Sequence, residues 1–317
     1  MNTTQDNKPL IVMVGPTAVG KTEISLRVAE QLRGEIISAD SRLFYRGMDI
    51  GTAKPTPEEL NRVPHHFINI SEPDQDWSLA VYLPNAVAVI QEIHSRKNLP
   101  FLVGGTGQYI QAVVQGWQLP PIKPDPALRN ILGRWAEQVG VEGIRARLTE
   151  LDPEAAEGID GPNLRRMIRA LEVTLSSGKK FSEQKKQKGA PYQVLQIGLT
   201  RPREDLYQRI DLRIERMLEQ GLVREVQALL DNGFSTELSS MSAIGYKQIV
   251  NFLSGKCSLE ESVQQIRSKT RKYIRQQANW FQENDPDINW FSAVDDPTDQ
   301  IINEIQQFLS YICYTEI

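Results

Sequence analysis

The first hundred residues alternate short apolar runs with stretches of mixed polarity. Residues 10–14 are continuously apolar and predict a buried strand, and residues 23–33 carry helical spacing and predict a helix closed by Gly34. Residues 35–38, 66–70 and 100–105 predict three further strands, with an amphipathic helix over 79–97 that holds Pro84 in its first turns. Such alternation predicts an α/β fold, a doubly wound parallel sheet flanked by helices. Ligands of these sheets bind beyond the carboxyl ends of the strands. Asp40, Gly104-Gly105-Thr106 and a glycine-rich turn at 15–20 all fall at such ends.

The pattern then changes. Residues 119–125 are proline-rich, and helical spacing follows over 127–138, 141–151 and 163–176. This predicts a helical insertion domain over about 119–191, with the core domain made of 1–118 plus about 192–317. Residues 194–200 predict a return strand, and 203–232 one long amphipathic helix with Leu206, Ile210, Ile214, Met217 and Leu218 toward the core. Further helices are expected over 242–281. The tail from about 284 is acidic until 300 and then predicts one last helix.

Composition narrows the class. The chain has 317 residues, formal charge −4 and two cysteines, Cys257 and Cys313, with neither disulfide nor metal-ligand spacing. Residues 1–9 are polar and lack an apolar signal core, and no apolar run approaches membrane-span length. A cytoplasmic protein without membrane segments is expected. With a negative average, any nucleic-acid partner must be met by local basic patches.

Residues 15–22 read Gly-Pro-Thr-Ala-Val-Gly-Lys-Thr, the G-x-x-x-x-G-K-[ST] phosphate loop, between an expected strand and an expected helix. The sheet is thus expected to be of the P-loop NTPase type, a nucleotide-binding and often ATP-binding architecture. Gly15 and Gly20 let the backbone curl, so that N–H groups along Thr17, Ala18 and Val19 turn toward phosphate. The helix N-terminus adds its positive dipole end. Lys21 offers a point charge and Thr22 a hydroxyl to Mg²⁺. The loop alone does not say which phosphorylated compound is bound.

Asp40, just after a strand, suits a general base or Mg²⁺ ligand, and equally a turn cap. Three glycines around Thr106 suggest close approach of a ligand to the backbone, or simply a tight βα turn. Arg209, Arg213 and Arg216 share one helix face, either solvated or turned on a diphosphate. Basic clusters recur at Arg165, Arg166 and Arg169, along 179–188, and along 267–275, where Lys269, Arg271 and Arg275 precede Trp280 and Phe281. Each run alone reads as a solvated face; several together on an acidic chain suggest a phosphate-binding surface, with aromatics suited to unpaired bases. His65 and His66 lack metal-site partners and read as structural or substrate-lining.

In order along the chain, residues 15–22, Ile-Ile-Ser-Ala-Asp-Ser (36–41), Tyr-Arg-Gly-Met-Asp-Ile-Gly-Thr-Ala-Lys-Pro (45–55), Val-Pro-His-His (63–66), Val-Gly-Gly-Thr-Gly (103–107), Ile-Arg-Ala-Leu-Glu-Val (168–173), Ala-Ile-Gly-Tyr-Lys (243–247) and Lys-Thr-Arg (269–271) resemble the tRNA dimethylallyltransferase family. That family moves a dimethylallyl group from dimethylallyl diphosphate to N6 of adenosine 37 in the anticodon stem-loop of tRNAs reading codons that start with U. The resemblance implies a loop that cradles diphosphate rather than ATP, Asp40 as base, Thr106 assisting, and Arg213 holding the diphosphate, with Mg²⁺ as cofactor. It implies tRNA contacts by Asp40, Ser41, Arg42, Leu43, Arg165, Arg166, Arg169, Gly245, Tyr246, Lys247, Lys269, Arg271 and Arg275, with Arg129 in addition, and a monomer. The chain departs from the family at Gln276, where arginine is usual, and at Leu43-Phe44, where glutamine and valine are common.

Two other readings share the phosphate loop. A small-molecule kinase using ATP would employ Asp40 to activate a hydroxyl, but does not need the basic helices. A nucleotide-switched RNA-binding protein explains the basic runs and leaves Asp40 without a task.

Overall fold

The structure, a computed structural model, describes residues 8–120, 122–184, 186–187 and 191–312. Its elements run β1 Pro9–Val14, α1 Lys21–Gln31, β2 Gly34–Ser38, α2 Pro57–Arg62, β3 His65–His66, α3 Leu79–Ser95, β4 Leu99–Val103 and α4 Gly107–Val114. Next come β5 Trp117–Gln118, α5 Pro126–Leu151, α6 Pro153–Glu157, α7 Leu164–Ser177, α8 Phe181–Gln184 and β6 Lys186–Gln187. The chain continues with β7 Gln193–Thr200, α9 Arg203–Gln220, α10 Leu222–Asp231, α11 Tyr246–Leu253, α12 Leu259–Ala278, β8 Ile288–Ser292 and α13 Thr298–Tyr311.

Two compact units result: one holds the residues up to Val114 together with those from Ala190 onward, the other Gln115–Gly189. In the first, six strands form one parallel sheet in the order β3-β2-β4-β1-β7-β8. Ile11, Met13, Phe101 and Ile197 are fully buried, as expected of a parallel sheet covered on both faces. The chain leaves β1 on one side and returns past β4, so the carboxyl ends of β1, β2 and β4 open on one crevice.

The second unit has its own core, where Leu132, Ile144 and Leu148 of α5 meet Met167 and Leu171 of α7. Asp152 is fully buried there and accepts from Ala155 N–H, Ser182 N–H and the Ser182 hydroxyl, which hold its carboxyl below the usual range against the cost of burial. The short ribbon of β5 and β6 pairs antiparallel.

Several expected boundaries shift. The strand over 66–70 is only His65–His66, because Phe67 and Asn69 take left-handed φ of 63° and 55° and turn the chain away. The helix over 203–232 breaks at Gly221, φ 105°, into α9 and α10. Gly34 is not a helix cap; it begins β2, where a Cβ would stand 2.4 Å from the Phe101 ring. The acidic tail conceals the sixth strand, β8.

Candidate active site

The crevice is a cavity of about 910 Å³ lined from four directions. The phosphate loop forms its floor. Gly15 and Gly20 have φ of 148° and 116° and Ala18 of 68°, so the chain curls tightly before α1 begins at Lys21. Thr17, Ala18, Gly20, Lys21 and Thr22 line the space, whereas Gly15 and Val19 lie beneath it, Val19 fully buried. The Lys21 ammonium donates to the Gly15 and Pro16 carbonyls at 2.8 and 2.9 Å. Burial, with a smaller push from Arg213 and an opposing pull from Asp40, brings its pKa down to about 8.

From the end of β2 come Asp40, Ser41, Arg42 and Leu43. Asp40 closes a turn and also faces the cavity. Its Oδ1 accepts the Arg42 N–H at 3.0 Å, closing the turn, while the carboxylate lines the cavity and bears on the charges of Lys21 and Arg213. Leu43 faces the cavity. Phe44 does not: it is fully buried and stacks on Tyr82 and Tyr109 at centroid distances of 5.7 and 6.1 Å.

The third wall is α9. Arg209, Arg213 and Arg216 all line the cavity; Arg213 is half-buried in its wall, while Arg209 and Arg216 stay exposed at its rim. Arg209 donates to Ala18 O at 2.7 Å, tying α9 to the phosphate loop. Burial lowers the Arg213 pKa and Asp40 opposes it. Apolar Ile210, Leu212, Ile214 and Met217 line the cavity among them.

Gly104 and Thr106 line the fourth side, with Tyr273 of α12. Burial pushes the Tyr273 phenol up to about 12, with Asp40 next in effect, while Thr106 and Gln277 draw it back. The glycines around Thr106 do not make room for a ligand. A Cβ on Gly104 would meet Ala39 at 2.7 Å, one on Gly105 the Gln277 amide at 2.1 Å, and one on Gly107 the Trp280 ring at 2.2 Å. The close approach expected from the sequence is real, and its partner is protein.

A loop that the sequence marked without a task, residues 45–55, supplies Gly51, Thr52, Ala53 and Pro55 to the cavity wall. It is held from below. Glu225 accepts the N–H groups of Asp49, Ile50 and Gly51 at 2.9, 2.7 and 3.1 Å and the Tyr246 hydroxyl at 2.6 Å. Lys54 donates to Tyr45 O, Asp49 Oδ1 and Asn69 Oδ1, each at 2.6 Å. Neither clamp has a sequence signature, because Glu225 lies on a distant helix.

The basic residues divide. Gly245 lines the cavity and Lys247 is exposed, but Tyr246 is fully buried with its hydroxyl on Glu225, which corrects its expected contact with RNA. Arg165 and Arg166 are exposed, whereas Arg129 and Arg169 each donate to buried Glu172 at 2.8 Å. Lys269 and Arg275 are exposed, and Arg271 pairs with Asp211. The cluster charge expected from Arg129, Arg169 and Arg271 is therefore largely spent on internal carboxylates. Lys185 and Lys188 of the lysine run lie outside the described residues. His66 bonds Glu35 at 2.7 Å and His65 the Val63 carbonyl, so both are structural.

No group of three or more His, Cys, Asp and Glu able to hold a metal occurs among the described residues. Thr22 and Asp40 present hard oxygen donors to the cavity. That short set fits Mg²⁺, which keeps several waters and commonly takes the rest of its ligands from substrate phosphates.

A phosphate loop facing a carboxylate and an inward arginine, on a parallel sheet, defines a phosphate-handling enzyme of the P-loop type. The family model described as IPP transferase matches residues 43–284, and that described as isopentenyl transferase matches 8–73. The chain is similar to the tRNA dimethylallyltransferase of Roseiflexus sp. (strain RS-1), 51% identical over 86% of this chain and 90% of the relative. It is 44% identical to that of Dehalococcoides mccartyi over 95% of this chain and 93% of the other. Among solved structures it resembles the tRNA isopentenylpyrophosphate transferase of Bacillus halodurans, with a TM-score of 0.73, 40% identity and coverage of 98% and 99%. It also resembles a eukaryotic dimethylallyltransferase solved acting on tRNA, with a TM-score of 0.81, 27% identity and coverage of 96% and 80%. The chain belongs to the tRNA dimethylallyltransferase family.

Proposed function

We propose that the protein transfers a dimethylallyl group from dimethylallyl diphosphate to N6 of adenosine 37 in tRNAs reading codons that start with U, acting as a cytoplasmic monomer. The observation that carries this is the meeting, in one cavity, of a phosphate-binding end (Lys21, Thr22, Arg213) and an acceptor end (Asp40, Thr106). The chemistry follows from those groups. The N6 lone pair is delocalised into the purine, so the amine is a poor nucleophile until its proton is drawn away. Asp40 accepts that proton as N6 bonds to C1 of the prenyl group. The C1–O bond breaks and its electron pair leaves with the diphosphate. Lys21, Arg213 and the loop N–H groups stabilise the charge gathering there. Mg²⁺, held by the Thr22 hydroxyl and the diphosphate, would supply further neutralisation of the leaving group. Apolar Ile210, Leu212 and Met217 suit the prenyl chain. The adenine must leave its stack to enter, which an anticodon loop allows at modest cost.

Whole-chain similarity to transferases disfavours the kinase reading. Among the described residues no helix is long and apolar enough to cross a membrane. The test supplies labelled dimethylallyl diphosphate, Mg²⁺ and tRNA with adenosine 37 kept or replaced. Label is expected only in the tRNA that keeps the adenosine. Label in neither, or in both alike, would overturn the assignment.

A further inference from the structure

Gln277 is buried, 4% exposed, on the last turn of α12. Its carbonyl Oε1 accepts the Thr17 N–H of the phosphate loop at 2.9 Å, and its amide Nε2 donates to Gly105 O at 3.1 Å. Those two backbone segments follow different strands, β1 and β4, and carry the two ends of the cavity. Thr17 stands in the diphosphate loop, and Gly105 immediately precedes Thr106. The segment ahead of Thr106 offers an acceptor and the loop a donor, and the primary amide of Gln277 answers each with a separate atom, its oxygen for the loop and its nitrogen for Gly105.

Shape adds to the pairing. The Gln277 amide occupies the place where a Cβ on Gly105 would stand, 2.1 Å away, and Trp280, three residues on, occupies that of Gly107. The turn carrying Thr106 is therefore seated against the end of α12 and the turn that follows it. Because the Thr17 N–H is committed to Gln277, it holds the loop's shape rather than pointing at phosphate.

We infer that Gln277 is a positioning residue that fixes the diphosphate loop and the Thr106 turn in one geometry, so that donor and acceptor are held in register for transfer. This rests on the prenyl-transfer reading above. Gln277 lies two residues beyond Arg275, for which the resemblance implied RNA contact, and its burial and inward bonds assign it a different task. A misplacement of reacting groups by about 1 Å can lower a rate about 100-fold, so loss of this bridge is expected in kcat rather than in RNA affinity.

The test compares wild type, Gln277→Glu, Gln277→Ala, Gly105→Ala and the double variant Gly105→Ala/Gln277→Ala in single-turnover prenyl transfer, with tRNA Kd and thermal midpoint measured in parallel. Gln277→Glu keeps the acceptor for Thr17 and loses the donor for Gly105. It is expected to lose about 10- to 100-fold in rate with tRNA Kd near wild type, and to lower the thermal midpoint because a carboxylate oxygen then faces the Gly105 carbonyl. Gly105→Ala is expected to be severely impaired alone. Combined with Gln277→Ala, which vacates the colliding amide, it should be no worse than Gln277→Ala alone. Should Gln277→Ala not fold, Gln277→Glu carries the test. A wild-type rate in Gln277→Glu, or a loss confined to tRNA Kd, would overturn the inference. An inactive wild type would instead overturn the prenyl-transfer reading.

Discussion

Arg271 of α12 donates to Asp211 of α9 at 2.7 Å and lays its guanidinium 4.9 Å above the Tyr207 ring. Arg267 reaches the same carboxylate at 3.5 Å and Glu215 at 3.1 Å. Two of the five basic residues along 267–275 thus brace α12 against α9. Neutralising Lys269 and Arg275 is expected to reduce the salt slope of tRNA affinity by about 1 per lost phosphate contact. Arg271→Ala should leave the slope unchanged and lower the thermal midpoint. A slope that responds to Arg271 and not to Lys269 would reverse this division.

Asp40→Ala removes the cavity carboxylate and one turn bond. Transfer is expected to fall by about 10²- to 10⁴-fold, the range of general-base catalysis, while tRNA binding persists. Turnover near wild type in a single-turnover assay would refute Asp40 as the base.

Lys21 has a pKa brought down to about 8 by burial. In the free enzyme its charge is present below that value and lost as pH rises through it. Donor affinity is therefore expected to weaken as pH rises past about 8, visible as a falling limb in kcat/KM for the diphosphate. A profile flat through that region would mean that Lys21 does not supply the charge.

Glu35, buried in the sheet, is held down to about 2, where burial is overcome by bonds from Arg96, Asn98 and His66. Its contribution to stability is complete above the usual carboxylate value of 4.5 and is lost as pH falls toward about 2. Glu35→Ala should cost about 2 kcal/mol, between the exposed- and buried-pair ranges because Arg96 is half exposed, and should flatten the acid limb of the stability profile. Denaturant titrations from pH 7 to pH 3 of both proteins measure it; parallel curves would dismiss the cluster.

The strands and the phosphate loop were legible because continuous apolar runs and glycine spacing are local signals. Asp40 was marked at the cavity edge by its place after β2, whereas only the family resemblance singled out Arg213, since the arginine face of α9 reads equally well as a solvated surface. Residues 66–70 misled because left-handed φ at Phe67 and Asn69, neither a glycine, leaves no local mark. β8 was hidden by its acidic flanks. Gln277 and Glu225 escaped because each acts across long separations in sequence, on backbone groups that composition does not distinguish, and Lys54 because its acceptors at Tyr45, Asp49 and Asn69 share no regular spacing. Arg129 and Arg169 looked like an RNA surface because Glu172 reads as one more helix residue until its burial is seen.

The ribbon in which Trp117 faces Gln187 closes the second unit at its base. Both ends of that unit's chain leave from one spot, as the two threads of a sewn-on patch do. The segment between can lengthen, shorten or be exchanged without changing the order of any strand in the six-stranded sheet.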